Sequence, residues 1–266
     1  MALSNPAFQA PAFSSGSKSI AAKQGLSPEQ LDELYGRPSA TPDQTDRMSY
    51  EDVIAKTFGA FAVLLVGAAV GWFLPILYLP AALVGFGLAL VNIFKKKPSA
   101  ALVLAYAAVE GVFVGGLSGV LEGRFNGIVV QAVIATLAVF AVTLFLFRSG
   151  RVRASAKATK VFIIAGSAYA LFSLINLGLQ LTGVSQDAWG LHTGVSIFGI
   201  PLGLIIGPLA ILMAAYSLVL DFTSVKNGVE QGLARVMGWK AAFGLVLTIV
   251  WLYVEFLRLI AIFRSN

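Results

Sequence analysis

Three carboxylates fall where a chain of this composition has least use for them. Glu110 sits near the middle of a long apolar run, Glu255 lies well inside another, and Asp221 closes a third. A charge at the centre of a membrane helix costs about 2.5–3.5 kcal/mol even on insertion scales. Glu110 must therefore be protonated, paired or wetted by a cavity, whereas Asp221, at the end of its span, is much cheaper to place. Arg258 follows Glu255 by one helical turn, on a similar face. It can form an internal salt bridge, or snorkel outward while Glu255 faces its neighbours. Two carboxyl groups brought together share a proton. Removing that proton leaves an anionic oxygen site suited to Ca²⁺, a hard cation that takes carboxylate and carbonyl oxygens. The chemistry on offer is a proton or cation path. The plainer reading is that each acid is a satisfied hydrogen-bonding group that ties helices together.

Other chemistries find little support. The chain has no cysteine, which excludes disulfides, thiolate nucleophiles and Cys-based metal sites. Its one histidine, His192, falls short of a zinc site. Gly116-Leu117-Ser118-Gly119 fits the GxSG pattern of rhomboid intramembrane proteases, and His192 would be its partner. Yet Gly/Ser patterns are common in packed membrane helices, where Ser118 is a small packing residue and His192 an interfacial side chain. No GxGD segment, phosphate-cradling loop or dinucleotide fingerprint occurs. No enzymatic activity and no cofactor are expected, apart from Ca²⁺ as a candidate permeant ion.

The elements that position these residues follow from hydropathy. Of 266 residues, 58% are hydrophobic and 12% charged. A soluble domain carries about 25% charged residues, so the solvent here is lipid. Seven apolar runs are each close to the length needed to cross a bilayer: Thr57–Pro75, Leu77–Phe94, Ser99–Leu121, Gly127–Phe147, Val161–Gly183, Phe198–Leu220 and Ala241–Phe263. The predicted fold is all-α, a polytopic membrane bundle over residues 51–266, preceded by a polar tail over 1–50. Ser27-Pro28-Glu29-Gln30-Leu31 reads as a helix start within that tail. Ser49 to Lys56 leads into the first span. The stretch Trp189 to Ile200 is read as interfacial or re-entrant, because the apolar sequence reaching Leu220 is too long for one span and holds Pro201 and Pro208.

Lys95–Lys97, the group Arg148, Arg151, Arg153, Lys157 and Lys160, and the group Lys226, Arg235 and Lys240 fall in alternate connections. By the positive-inside rule these connections and the N-terminus are cytoplasmic. Seven spans then leave the C-terminus outside, where Arg264 opposes the rule. An even number would remove that conflict. The basic groups are explained by topology and anionic lipid, and nucleic acid is not expected as a partner. Glycines recur four apart at Gly67 and Gly71, at Gly111, Gly115 and Gly119, and at Gly199, Gly203 and Gly207. Such ridges let helix backbones approach closely.

Several segments resemble the Bax inhibitor / YccA family, also called the transmembrane Bax inhibitor motif family, from about Tyr50 to the C-terminus. Ala105-Tyr106-Ala107-Ala108-Val109-Glu110-Gly111 resembles its aromatic–acid–glycine segment. Gly127-Ile128-Val129-Val130-Gln131-Ala132 resembles the start of its next helix. Trp251-Leu252-Tyr253-Val254-Glu255-Phe256-Leu257 resembles its last-helix motif. Ser4-Asn5-Pro6-Ala7-Phe8 is similar to the opening of actinobacterial members. The resemblance implies seven helices with the last surrounded by the other six, in a bacterial cytoplasmic membrane. It implies a pH-sensitive Ca²⁺ leak through paired acids on the sixth and seventh helices, which map to Asp221 and Glu255. Glu110 would be a further path residue and Arg258 a counter-charge. Two departures stand out: the seventh-helix acid is Glu where channel members have Asp, and the six-to-seven connection is longer. Some relatives lack the acid pair and associate with a membrane AAA protease, so a non-transporting regulator is the alternative, with the polar tail as its contact.

Overall fold

The computed structural model describes residues 46–184 and 189–265. The helix start at Ser27–Leu31, most of the polar tail, and Asp187 lie outside the described residues. Among the described residues, seven helices are long and apolar enough to cross a membrane. We label them α1 (Tyr50–Phe73), α2 (Tyr78–Phe94), α3 (Ala100–Arg124), α4 (Ile128–Arg148), α5 (Ala156–Leu181), α6 (Leu202–Glu230) and α7 (Gly238–Ser265). A 3-10 turn at Pro75–Leu77 joins α1 to α2. The all-α, seven-span bundle expected from hydropathy is the fold.

The first and sixth spans extend furthest past expectation, and in both, charged residues near the helix end have partners. Ser49 is the N-cap of α1, its hydroxyl accepting from the Asp52 amide at 3.1 Å. The segment to Lys56 is therefore helix rather than lead-in. Asp52 is neutralised by Lys56 Nζ at 2.5 Å and Arg235 Nε at 2.9 Å. Likewise α6 does not stop at Leu220 but runs to Glu230. Thr223 and Ser224 return their hydroxyls to the carbonyls of Val219 and Leu220 at 2.7 and 2.8 Å. Lys226 and Glu230 pair one turn apart at 3.6 Å.

The expected start of the sixth span at Phe198 is corrected too. Phe198 and Gly199, with φ of 53° and 80°, form the two-residue loop of a small hairpin. Its strands, β1 (Ser196–Ile197) and β2 (Ile200–Pro201), are antiparallel. Gly199 thus leaves the glycine ridge, while Gly203 and Gly207 face Ile262 and Leu259 of α7. Pro208 lies inside α6 without ending it.

The tightest packing joins α1 and α3. A Cβ at Gly67 or Gly71 would collide with the α3 backbone at Ala108 and Val112. One at Gly111 or Gly115 would strike the α1 backbone at Leu64 and Ala68. The two helices interlock at backbone contact, as association without a hydrophobic drive requires. α7 packs against α1, α3, α4 and α6 and is the most buried span. One buried cluster joins α1, α3 and α7 through Leu64, Val103, Tyr106, Phe243 and Val250. A second joins α6 and α7 through Leu218, Phe222, Leu245 and Leu252. At the end of the bundle that carries the basic connections, Lys240 Nζ on α7 caps α2, donating to the carbonyls of Asn92, Ile93 and Lys95 at 2.8–3.3 Å.

α5 is different. Asn176 is its one buried residue. Side chains rather than close backbone packing attach it at three levels: Thr159 to Tyr216 at 2.9 Å, Tyr169 to Glu255 at 2.5 Å, and Asn176 to the Leu191 amide at 2.6 Å.

Candidate functional site

Thr248, Trp251, Glu255 and Arg258 recur at intervals of three, four and three along α7, and so share one face. That face looks toward α5 and α6. Glu255 is 2% exposed. Its Oε1 accepts from Tyr169 Oη at 2.5 Å and from Trp251 Nε1 at 3.0 Å. Its Oε2 accepts from Arg258 Nη2, which also donates to the Tyr169 hydroxyl. The Tyr169 and Trp251 rings stack at 6.3 Å, closing the sides of the cluster. Arg258 therefore turns inward as a buried counter-charge and does not snorkel to the headgroups.

A buried ion pair of this kind is weak support for stability but costly to break. Every Glu255 oxygen is taken, and Tyr169 is the link by which the loosely packed α5 is fastened to α7. The carboxylate is thus the point at which a side chain of α5 meets α7.

Asp221 belongs to a second polar layer. Its Oδ2 accepts from Thr248 Oγ1 at 2.7 Å, and Thr248 lies 3.3 Å from Ser217 Oγ. Its Oδ1 rests against α7 at Gly244, where a Cβ would come within 3.3 Å. From Thr248 to Glu255 is seven residues, or about 10.5 Å along a helix axis. Asp221 and Glu255 line the same side of α7 but hold separate partners. Glu110 lies elsewhere, on α3, with its carboxylate in the space that Gly85 leaves open on α2. Among the described residues no three His, Cys, Asp or Glu side chains converge as metal ligands would.

The serine–histidine dyad is not assembled. Ser118 is buried and its hydroxyl is 2.7 Å from Tyr253 Oη on α7. His192 is 2% exposed, and neither of its nitrogens has a hydrogen-bond partner. It sits on a single helical turn, Leu191–Gly194. Burial, with the positive charge of Arg258 second, holds its imidazole down to about 4.

Tyr169 and Thr248 are the partners of Glu255 and Asp221 that sequence reasoning missed. The three-four-three spacing on α7 was a signal for Thr248 and Trp251. Nothing in the run around Tyr169 marked it out from other apolar-span aromatics.

No curated protein matches the chain. The family model described as Bax inhibitor 1 like matches residues 5–265, nearly the whole length. The matched residues take in all seven apolar helices. The chain is a multi-span membrane protein that belongs to the Bax inhibitor 1 like family.

Proposed function

We propose that this protein is a pH-sensitive cation leak, with Ca²⁺ as the permeant ion, kept shut by the Glu255–Arg258–Tyr169 cluster. The observation that carries the reading is a fully buried carboxylate whose partners span two helices, one of them scarcely packed. The ionised Glu255 is not a vacant anionic site, because a guanidinium already occupies it. Proton uptake by Glu255 removes the charge that holds Arg258 and Tyr169, and frees α5 to part from α7. Ser217, Asp221 and Thr248 then supply oxygens along the α6–α7 face, with Asp221 as the charged group that a passing cation meets. The basic connections favour a cytoplasmic face for that layer and for the N-terminus.

The test is Ca²⁺ flux into proteoliposomes across a range of pH. The parent should leak in a pH-dependent manner. Glu255→Gln, which keeps the shape but not the charge, should leak more and without pH dependence. Equal flux from both proteins at every pH would reject Glu255 as the sensor.

A further inference from the structure

The only histidine in the sequence is placed where an ionisable ring has no electrostatic purpose in the docked state. His192 is in the connection between α5 and α6, and both of its ring nitrogens are buried without a hydrogen-bond partner. Orphaned buried polar atoms are rare in folded proteins and call for a reason. The ring fills a slot formed by three spans. Phe172 of α5 meets it in a T-shaped contact with centroids 5.0 Å apart. Gly203 of α6 lies so close that a Cβ there would come 3.1 Å from the His192 Cβ. Ile262 of α7 crowds the same glycine.

The charged group that acts on the ring is Arg258 of α7. The residues that α5 and α6 present to it, Phe172 and Gly203, are not ionisable. The rest of the connection is fastened by neutral contacts. Asn176 of α5 accepts from the Leu191 amide at 2.6 Å and donates to the Trp189 carbonyl at 3.3 Å. The Leu202 amide donates to the Val195 carbonyl at 2.8 Å, which closes the hairpin onto α6. His192 is thus the bolt of a cap, residues 189–201, over one end of α5, α6 and α7.

We propose that His192 is a proton-binding site, and that a proton taken up there releases the 189–201 cap from the helix ends. A charged imidazolium in this slot would find an aromatic ring, a glycine, an isoleucine and a like-charged guanidinium, and the Trp189 backbone, the one group that favours its charge, is outweighed by burial and by Arg258. Outside the slot, water satisfies both N–H groups.

The sign follows from linkage. Burial holds the docked imidazole down to about 4, whereas a released one titrates near about 6.5. The docked form binds fewer protons, so docking is fully favoured above the released value and is lost as pH falls between the two. The docking constant should fall by about 100-fold from pH 7 to pH 4. This holds whether or not the protein passes ions.

Two measurements on the full chain in nanodiscs, purified without a histidine tag, test it. With labelled histidine, the single imidazole resonance should titrate well below about 6.5. Gly203→Val, which fills the slot, should return it to that value. The chain has no cysteine, so spin labels at Ser196→Cys and Phe263→Cys report the cap-to-α7 distance alone. A longer distance should grow in as pH falls, and His192→Phe, which fits the slot but takes no proton, should keep the short one throughout. An imidazole that titrates at its ordinary value overturns the proposal. So does a distance that ignores the titration, or one that lengthens equally in His192→Phe.

Discussion

Replacing Arg258 with Met isolates what the buried pair does. Met keeps much of the side-chain volume but removes the guanidinium. Glu255 would retain Tyr169 Oη at 2.5 Å and Trp251 Nε1 at 3.0 Å on Oε1, while Oε2 loses its donor. Removing one member of a buried pair costs about 3–5 kcal/mol, because the other charge is left uncompensated. The carboxylate has one escape, which is to take a proton. That costs about 1.4 kcal/mol for each pH unit above the ordinary carboxyl value near 4.3. The escape caps the loss at about 3.7 kcal/mol at pH 7 and about 1 kcal/mol at pH 5. The variant's folded form then binds a proton that its unfolded form does not, so its stability falls as pH rises. Equilibrium unfolding in mixed micelles at the two pH values measures this directly. The double variant Glu255→Gln with Arg258→Met has no buried charge and should lie within about 1 kcal/mol of the parent at both. The reasoning is refuted if Arg258→Met loses the same stability at pH 5 and pH 7, or if the double variant fares no better than the single.

Gly115→Val should abolish folding, since a Cβ there meets the Ala68 backbone of α1, and the loss should exceed about 4 kcal/mol. Gly87→Ala, with nothing within 4 Å of the added atom, should leave size-exclusion behaviour unchanged and raise stability by about 0.5–1 kcal/mol. Ser118→Ala strands the buried Tyr253 hydroxyl and should cost about 1–3 kcal/mol in unfolding experiments. The same variant should leave cleavage of a transmembrane substrate at background, as in the parent, and a Ser118-dependent cleavage would revive the protease reading.

The spans were legible because hydropathy acts on every residue of a helix in lipid, so about twenty apolar residues in a row leave one structure open. The ends of α1 and α6 were not, because a charge near a boundary reads as loop until its partner is known. Asp52 finds Lys56 four residues on, but also Arg235, far away in sequence. The ridge Gly67, Gly71, Gly111 and Gly115 signalled close approach, though which two helices would meet was a tertiary fact. In the candidate site, the Glu255 and Arg258 spacing marked a local pair. Tyr169, on another helix, had no such marker. Nor did the burial of His192, because the hairpin that turns the chain back over α6 needs Phe198 in a left-handed conformation that its sequence does not advertise.

The unequal packing of the spans decides which of them can move. α1 and α3 interlock at backbone contact, and a change in their spacing would open voids along the whole ridge. α7 shares buried side chains with both, so it is fixed with them. α5 has a single buried residue and is fastened by polar side chains at three heights. Polar attachments are the ones that a proton can undo, whereas dispersion contacts between glycines and methyl groups are indifferent to pH. Two of the three heights lie beside an ionisable group: Tyr169 on Glu255, and Asn176 on the connection that His192 bolts down. A change of protonation at either group therefore acts on the helix that costs least to displace, and leaves the α1–α3–α7 core in place.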